Sequence, residues 1–399
     1  MTREVVIAER AAVAVRRGHP WVFREALTER PTLRTGEEVR VMDRTRTLLG
    51  HAWADADSPL ALRMWTHAHG NVAIDDALLA GRFEAALRIR DRLFKNGSTS
   101  SLPSGATTAF RITHGEGDRT PGVVVDRYGH VAVLRLDGAA AEVHKDRLIS
   151  VLWPKLELRG VTTLMEKSRN HAGLPPTLKG APGPERIEVE EHGMRFWVDL
   201  AEGQKTGAFL DQRENRRRVR GLAAGRRVLN LFSYAGGFSL SAALGGARQV
   251  VSVDIAAKAH KTAQESFRLS GVDPSAHKFV AADAFAWLAS AAQRKETFDL
   301  IISDPPSFAP NEKSVPRALK AYRDLHGAAA KLLASDGILC ASSCSSHVNL
   351  EAFLSTLDDE TLGFAGLRAV ETFGSPPDHP TLPAFPEGRY LKFVVLEGS

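Results

Sequence analysis

The sequence predicts an α/β protein whose C-terminal half is a doubly wound parallel sheet. From Val228 onward, five short apolar runs alternate with stretches of helical spacing: VLNLF, QVVSVD, KFVAAD, FDLIISD and GILCASS. Such alternation is typical of parallel strands joined by crossover helices. The 399 residues also exceed one ordinary core. We therefore expect a small β-rich domain (1–70), a central α+β domain (71–188) and the doubly wound domain (189–399).

The two earlier domains are predicted from their apolar patterns. Within residues 1–70, EEVRVMD and the stretch 47–65 alternate like strands, and Gly36 and Gly50 interrupt them. The segment AIDDALLAGRFEAALRIRDRLF has apolar residues at helical spacing and predicts a helix. The central domain then has the predicted strands RITHG, GVVVDRYG, VAVLRL and VTTLMEKS, with a second helix before the last. LPPTLKGAPGPE is predicted to be a connector.

Composition and charge exclude several classes of protein. Two cysteines, Cys340 and Cys344, are too few for a disulfide framework, and no Cys/His cluster has zinc-ligand spacing, so we expect no metal site. The N-terminal residues lack an uninterrupted apolar stretch, which argues against a signal peptide or a membrane anchor. The formal net charge of +5 is compatible with a polyanionic partner. We expect a cytoplasmic protein without a membrane partner.

The first apolar run leads into a glycine turn, Asn230–Phe238, that predicts a cofactor site. Ligands of doubly wound sheets bind beyond the carboxyl ends of the strands, and paired glycines let the backbone approach closely. Asp254 can accept hydrogen bonds from both ribose hydroxyls, and Asp283 from an adenine amino group. The turn lacks the full G-x-G-x-x-G that serves a pyrophosphate, which favours S-adenosylmethionine over a dinucleotide. The predicted contacts are Phe232, Ser233, Tyr234, Gly236, Asp254 and Asp283.

The fourth run ends in Asp304-Pro305-Pro306-Ser307-Phe308. This loop is rigid because proline excludes helix and removes backbone donors. A rigid, acceptor-rich loop beside a methyl donor can bind the exocyclic amine of a base, while Phe308 stacks on its face. We expect Asp304 and Pro305 to border the cofactor, Asp304 to take part in the reaction, and Pro306 and Phe308 to contact the base.

The fifth run ends beside Cys344, which predicts covalent chemistry on a cytosine. Carbon 5 of cytosine is a poor nucleophile until a thiolate adds to carbon 6. A free thiol with a pKa of about 8.5 is mostly protonated at neutral pH, and a helix start capped by Ser345 or Ser346 would favour the anion. Cys340 lies within the run and is expected to pack in the core. His347 is either a proton carrier or a histidine on a helix surface.

Together these motifs resemble the bacterial 23S ribosomal RNA cytosine-C5 methyltransferases that carry an N-terminal PUA domain. The resemblance covers nearly the whole chain and includes RGHPWVF, GD with PGVVVDRYG, GQKTG with LDQR, NLFSYAGGF, the Asp304 loop, the Cys344 strand, DHP and PEGRYLK. It implies a small PUA-like RNA-binding domain, a central α+β domain and a Rossmann-like class I methyltransferase domain that uses S-adenosylmethionine. It also implies Cys344 as nucleophile and a cofactor pocket lined by Lys205, Thr206 and Asp211.

Two departures from the family pattern keep alternatives open. Ser307 stands where lysine is common in relatives, and Ser345-Ser346-His347 lies in a variable stretch. Relatives with the same cofactor loop methylate a guanine nitrogen and lack the cysteine, so the choice of base depends on Cys344. The alternatives are methylation of guanine or of a small molecule, a non-catalytic RNA-binding protein, and a dinucleotide oxidoreductase.

Arginine-rich segments indicate where ribosomal RNA, free or within the large subunit, would bind. Residues 213–227 hold seven arginines and one glutamate, which suits phosphate binding, although a solvated helix face explains them equally well. Near the N-terminus, arginines beside His19 and Trp21 combine charge with stacking, unless Trp21 belongs to the core. The predicted RNA contacts are Arg17, Trp21, Arg216 and Arg217. The modified nucleotide, the base that removes the carbon 5 proton and a possible homodimer stay open.

Overall fold

The computed structural model describes residues 2–29, 31–67, 72–94, 106–168, 172–363 and 366–398. The chain forms two compact units. The first comprises Met1–Ile187, Val198–Leu210 and Pro377–Gly388, and the second comprises Glu188–Trp197, Asp211–Pro376 and Arg389–Ser399. The domain boundaries at residues 70 and 188 stay a prediction. Among the described helices, none combines the length and the apolar content needed to cross a bilayer.

The first unit begins with a five-stranded sheet and one helix. The strands are β1 (Arg3–Val6), β2 (Trp21–Phe23), β3 (Glu38–Met42), β4 (Leu48–Ala54) and β5 (Leu60–Met64), in the order β1-β3-β4-β5-β2. Strands β3, β4 and β5 confirm the predicted ones. Helix α1 (Glu9–Arg16) is not evident from the sequence, because only Ala12 and Val15 of its eight residues are buried and so short an apolar stripe gives little periodic signal.

A second sheet of the first unit corresponds to the predicted α+β elements. Its strands are β6 (Ala109–His114), β7 (Val123–Tyr128), β8 (Val131–Leu136), β9 (Thr163–Glu166) and β10 (Thr177–Gly180), in the order β10-β9-β8-β7-β6. The helices are α2 (Asp76–Phe94), α3 (Ala139–Val143) and α4 (Lys145–Glu157), and α2 and α4 share one apolar core with β7 and β8. One expectation needs correction: β10 lies in the predicted connector, because Thr177 and Lys179 pair with β9.

The second unit contains a seven-stranded sheet, which is preceded in sequence by a hairpin of β11 (Arg186–Glu191) and β12 (Met194–Asp199). The seven strands are β13 (Arg227–Leu231), β14 (Gln249–Asp254), β15 (Lys278–Ala281), β16 (Phe298–Ser303), β17 (Leu333–Ser343), β18 (Arg368–Phe373) and β19 (Lys392–Glu397), in the order β15-β14-β13-β16-β17-β19-β18. The helices are α5 (Arg213–Leu222), α6 (Gly237–Leu244), α7 (Ala257–Leu269), α8 (Ala284–Gln293), α9 (Val315–Ala330), α10 (Leu350–Leu354) and α11 (Asp359–Leu362). Strands β13 to β17 run parallel, which confirms the doubly wound sheet.

The central strands of this sheet are buried on both faces. Val228 and Ile302 belong to one apolar cluster, whereas their neighbours Leu229 and Ile301 belong to another. Side chains alternate between the two faces of a strand. Burial of both faces therefore explains why these strands appear in the sequence as continuous apolar runs.

The strand order creates a crevice beyond β13 and β16. The chain runs outward from β13 through β14 to β15 and then returns to β16 on the other side of β13. Ligands of such sheets bind at this reversal, beyond the carboxyl ends of the strands. Strands β18 and β19 are not evident from the sequence. Strand β19 runs antiparallel to β17 and pairs Lys392 with Ser343, at the end of β17.

Candidate active site

The predicted cofactor turn follows β13 and has an unusual backbone. Phe232 and Tyr234 have positive φ angles of 56° and 46°, and Gly236 has a φ of 76°. The N–H of Ser233 donates to strand β14 at 3.0 Å, and the N–H of Gly236 donates to the Ser233 carbonyl at 2.8 Å. A Cβ at position 236 would lie 2.7 Å from the Cβ of Ala263, so glycine is required. Non-glycine residues with positive φ are uncommon and cluster at functional sites.

Both predicted acidic residues of the cofactor site hold backbone groups. Asp254 ends β14, and its carboxylate accepts hydrogen bonds from the N–H groups of Tyr234 and Ala256, both at 2.8 Å. It thereby fixes the cofactor turn to the neighbouring strand. Asp283 is exposed and caps α8, accepting from the N–H of Ala286 at 2.9 Å. A carboxylate has further lone pairs, so the bonds of Asp254 to ribose and of Asp283 to adenine stay predictions.

A glutamine fixes the proline loop that follows β16. Gln212 is 3% exposed, and its side-chain amide donates to Asp304 Oδ1 at 2.8 Å and to Ser342 Oγ at 3.0 Å. Asn215 donates in turn to Gln212 Oε1 at 2.5 Å. Gln212 therefore links Asp304 to the end of β17, two residues before Cys344. The LDQR motif contains this glutamine, but its partner Asp304 lies 92 positions away in sequence, so spacing gives no sign of the contact.

The side chains of the proline loop face different environments. Pro305 is buried, whereas Pro306 is exposed. Phe308 is half-buried, its ring centre lies 4.9 Å from that of Tyr322, and it packs against the apolar core. One part of the Phe308 ring thus packs within the protein, and its stacking on a base stays a prediction. Pro306 is the exposed member of the predicted base-contacting pair.

The two cysteines differ as the sequence predicts. Cys340 is fully buried among apolar residues of one sheet face, and burial raises the pKa of its thiol. Cys344 is half-buried and is the first residue beyond β17. The core position predicted for Cys340 is thus confirmed, and Cys344 lies at the carboxyl edge of the sheet.

The prediction that Ser345 or Ser346 caps a helix is wrong. Helix α10 begins at Leu350, and its cap is Asn349, whose side chain accepts from the N–H of residue 352 at 2.8 Å. Residues 344–348 form an irregular turn instead, with His347 exposed. No helix of the described residues therefore begins directly after Cys344, where its N-terminus could stabilise a thiolate.

Hydroxyl groups connect the segment around Cys344 to its neighbours. Tyr322, in α9, donates to Ser343 Oγ at 2.9 Å and lies 3.4 Å from Ser345 Oγ. Ser345 Oγ is 2.8 Å from Ser307 Oγ in the proline loop. Burial raises the pKa of the Tyr322 phenol, and negative charges on Cys344 and Asp304 raise it further. The thiol and the proline loop therefore border the same buried tyrosine.

The chain matches two known protein families. Residues 167–392 match the S-adenosylmethionine-dependent methyltransferases, and residues 5–67 match a PUA-like domain. The chain belongs to the S-adenosylmethionine-dependent methyltransferase family. The match extends from the end of the central sheet through the cofactor turn, the proline loop and the Cys344 segment.

The relatives below match nearly the whole chain. A ribosomal RNA large subunit methyltransferase from Deinococcus radiodurans is 38% identical, covering 98% of this chain and 96% of the relative. Ribosomal RNA large subunit methyltransferase I from Cronobacter sakazakii is 35% identical, covering 98% of both chains. A candidate methyltransferase crystallised with S-adenosylhomocysteine superimposes with a TM-score of 0.86 at 26% identity, covering 99% of this chain and 100% of that one. A structure from Streptococcus mutans, at 24% identity and a TM-score of 0.85, covers the same shares and has the same fold.

The residues beyond β13 and β16 fit the cofactor of this family. The Oγ atoms of Ser233 and Ser303 are buried, and neither has a hydrogen-bond partner within the described ranges. Buried polar groups are normally paired, so two unsatisfied hydroxyls at neighbouring strand ends indicate a polar ligand. S-adenosylmethionine has amino, carboxylate and ribose groups that can pair with them. Gly236 and Asp254 would complete this side of the site.

Thr206, predicted to contact the cofactor, belongs to the first unit. It is 1% exposed, and its hydroxyl lies 2.6 Å from Asp126 Oδ2 and 2.8 Å from the Tyr128 hydroxyl. Its hydroxyl is thus bonded within the protein, and contact of Thr206 with the cofactor stays a prediction. The Tyr128 hydroxyl also accepts from the N–H of Ala208 at 3.1 Å, so the segment that contains Thr206 and Ala208 is held to strand β7.

The other two residues predicted from the same stretch lie in different units. In the first unit, the Lys205 ammonium lies 4.5 Å from the centre of the Phe209 ring. In the second unit, Asp211 accepts from the Tyr390 hydroxyl at 2.7 Å. Contact of Lys205 and Asp211 with the cofactor stays a prediction.

Arg216 is not the free guanidinium that the sequence predicts for RNA binding. It is 7% exposed and forms two hydrogen bonds with Glu191, at 2.8 Å and 2.6 Å. Burial alone would lower the pKa of Arg216, and the Glu191 carboxylate more than offsets this. A buried guanidinium paired in this way is not available to an RNA phosphate. Arg217 is half-buried and lies 3.6 Å from Glu214, so its contact with RNA stays a prediction.

The predicted RNA contacts near the N-terminus also differ from each other. Arg17 is exposed at the end of α1. Trp21 is half-buried: its indole N–H donates to Glu116 at 2.8 Å, and its ring packs edge to face on Phe385 with centres 4.5 Å apart. These contacts favour a packing role for Trp21, the alternative that its sequence position left open. The RNA role of Arg17 stays a prediction.

Proposed function

We propose that this chain transfers a methyl group to carbon 5 of a cytosine in 23S ribosomal RNA, with Cys344 as covalent nucleophile. Support for the RNA comes from two relatives that are called ribosomal RNA large subunit methyltransferases. Support for the base comes chiefly from one observation: Cys344 is a half-buried cysteine outside any disulfide, directly beyond the carboxyl end of β17. Nitrogen methylation needs no such nucleophile.

The chemistry explains why a thiol belongs there. Carbon 5 of cytosine becomes nucleophilic when the Cys344 thiolate adds to carbon 6 and the ring electrons shift toward carbon 5. S-adenosylmethionine supplies the methyl group that carbon 5 takes up. Removal of the carbon 5 proton by a base then returns an electron pair, which expels the thiolate and restores the ring and the free enzyme.

Asp304 and the proline loop are proposed to hold the base during these steps. The Asp304 carboxylate can accept a hydrogen bond from the exocyclic amine of cytosine. Gln212 holds that carboxylate through a 2.8 Å hydrogen bond and also contacts the strand that ends before Cys344. Orientation of reacting groups in this way lowers the barrier, because less motion has to be frozen in the transition state.

Substitution of the nucleophile tests the proposal. In Cys344→Ala, methylation of large-subunit RNA from a labelled donor is expected to fall by about a thousandfold or more, while calorimetric binding of S-adenosylhomocysteine stays unchanged. RNA with 5-fluorocytidine should form a covalent adduct with the native chain, because fluorine at carbon 5 blocks elimination, but not with the variant. Cys340→Ala is the matched control and should retain both properties, because Cys340 lies in the core.

Continued methylation by Cys344→Ala, without an adduct in the native chain, would contradict the cytosine chemistry and indicate a guanine nitrogen. Failure of the native chain to bind S-adenosylhomocysteine would instead favour a non-catalytic RNA-binding protein. The assays should use both free RNA and large-subunit particles, since the sequence leaves that choice open. The names of the relatives give no support to a homodimer, and the cytoplasmic location stays a prediction.

A further inference from the structure

Lys392 is a buried cation beside the proposed nucleophile. It is 5% exposed, begins β19 and pairs with Ser343 at the end of β17. Its ammonium donates three hydrogen bonds to backbone carbonyls: to Ser345 at 2.6 Å, to Val348 at 2.6 Å and to Tyr390 at 2.8 Å. An ammonium has three donors, so all are used, and two of them bind the irregular turn that follows Cys344.

Within the part of the chain that the structure describes, no carboxylate pairs with this cation. Among the ion pairs of the described residues, none includes Lys392, although a buried charge is normally paired. Burial lowers the pKa of Lys392 to about 8, and a negative charge on Cys344 acts in the opposite direction. Charges on Cys344 and Asp304 both act on Tyr322 of α9, and His347 is exposed in the same turn as the thiol. Among Lys392, Tyr322 and Asp304, the cation is Lys392, and its charge interacts with that of Cys344.

We propose that Lys392 is a positioning residue that fixes the turn after β17 and, as its counter-ion, keeps the Cys344 sulfur in the thiolate form. The inference rests on the proposed function only for the use of that thiolate. It replaces the helix N-terminus that the sequence led us to expect. It also explains why a lysine is buried at this point of the sheet.

The expected effect on the thiol follows from its ionisation. A thiol with a pKa of about 8.5 is about 3% thiolate at pH 7, and one with a pKa of about 7.5 is about 24% thiolate. The lower pKa therefore increases the amount of thiolate about eightfold. A thiolate of lower pKa is also a weaker nucleophile, by about a factor of three, so the net gain in rate is smaller than the gain in thiolate. The midpoint of a pH profile reports the pairing more directly than a rate at one pH.

Alkylation by iodoacetamide, followed residue by residue by mass spectrometry across a pH series, tests the inference in the full chain. For native Cys344 we expect a midpoint about one pH unit or more below the ordinary value of about 8.5. In Lys392→Met this midpoint should rise by about one unit, because the cation is lost. Cys340 is an internal reference and should remain unreactive, since it is fully buried.

Lys167→Met is the matched control for removal of a buried lysine. Lys167 is 5% exposed and donates to the carbonyls of Leu200 at 2.9 Å and Gly203 at 2.6 Å, but it lies in the first unit. This variant should leave the Cys344 midpoint unchanged. An unchanged midpoint in folded Lys392→Met, or an equal shift in Lys167→Met, would overturn the inference.

A second measurement applies if Lys392→Met does not fold. The ultraviolet absorbance of the thiolate is titrated in the native chain and in Cys344→Ser, and their difference gives the Cys344 midpoint. A midpoint at or above the ordinary thiol value overturns the inference, and a lower one supports it. Neither experiment contains RNA or cofactor. The outcome is therefore independent of the 5-fluorocytidine adduct, and failure of the proposed function is distinguished from failure of the thiolate pairing.

Discussion

Replacement of Arg216 by methionine should destabilise the second unit more than the same replacement of its neighbour Arg217 in helix α5. The side chains of Arg216 and Glu191 are 8% and 2% exposed, and two hydrogen bonds of 2.8 Å and 2.6 Å join them. Loss of one partner leaves the other charge buried and unpaired, which typically costs about 3–5 kcal/mol. That is a large fraction of the free energy of unfolding of a typical protein, about 5–15 kcal/mol.

Arg217→Met is the matched control, one position along the same helix. Arg217 is partly exposed, and its nearest approach to Glu214 is 3.6 Å, so its loss should cost less than about 1 kcal/mol. In the double variant Arg216→Met with Glu191→Leu, both buried charges are removed. Most of the lost stability should then return, because an apolar pair of similar volume often replaces a buried ion pair at little cost.

Equilibrium urea denaturation of the three variants and the native chain measures these differences, with circular dichroism and tryptophan fluorescence followed together. RNA affinity is measured on the same proteins under native conditions. If Arg216→Met loses no more stability than Arg217→Met but weakens RNA binding more, the interpretation of Arg216 as a buried structural ion pair is wrong. The RNA contact predicted from the sequence would then be restored.

Two further predictions concern the cofactor turn and the acid stability of the second unit. Gly236→Ala should weaken S-adenosylhomocysteine binding about tenfold or more in calorimetry, since positive φ costs a Cβ-bearing residue about 1–2 kcal/mol and the new Cβ contacts Ala263. Gly221→Ala, on an exposed part of helix α5, is the control. Equal affinities of the two variants would contradict this prediction. Burial lowers the pKa of His326 to about 4 against an ordinary value of 6.5, so the unfolded chain takes up a proton first as the pH falls. The free energy of unfolding should therefore fall by on the order of 2–3 kcal/mol between about pH 7 and pH 4.5, and an equal fall in His326→Gln would contradict this assignment.

Local patterns were sufficient to predict the doubly wound sheet and the place of its ligand site. Apolar runs record which strands are buried on both faces, as the alternation of Val228 and Leu229 between two clusters shows. They also separated Cys340, within a run, from Cys344, at its end. Strand β18 could not be predicted in this way, because five of its six residues are exposed and give little apolar signal.

The sequence by itself determined the order of strands β13 to β17 along the chain, the glycine turn and the cysteine at the edge of the sheet, because these depend on residues close together in the chain. Only the tertiary structure decided which polar groups are paired. Glu191 neutralises Arg216 from 25 positions away, and Lys392 reaches the turn after Cys344 from more than 40. Periodicity records that a position is buried, but it contains no information on the charge or the carbonyl that meets it from another element.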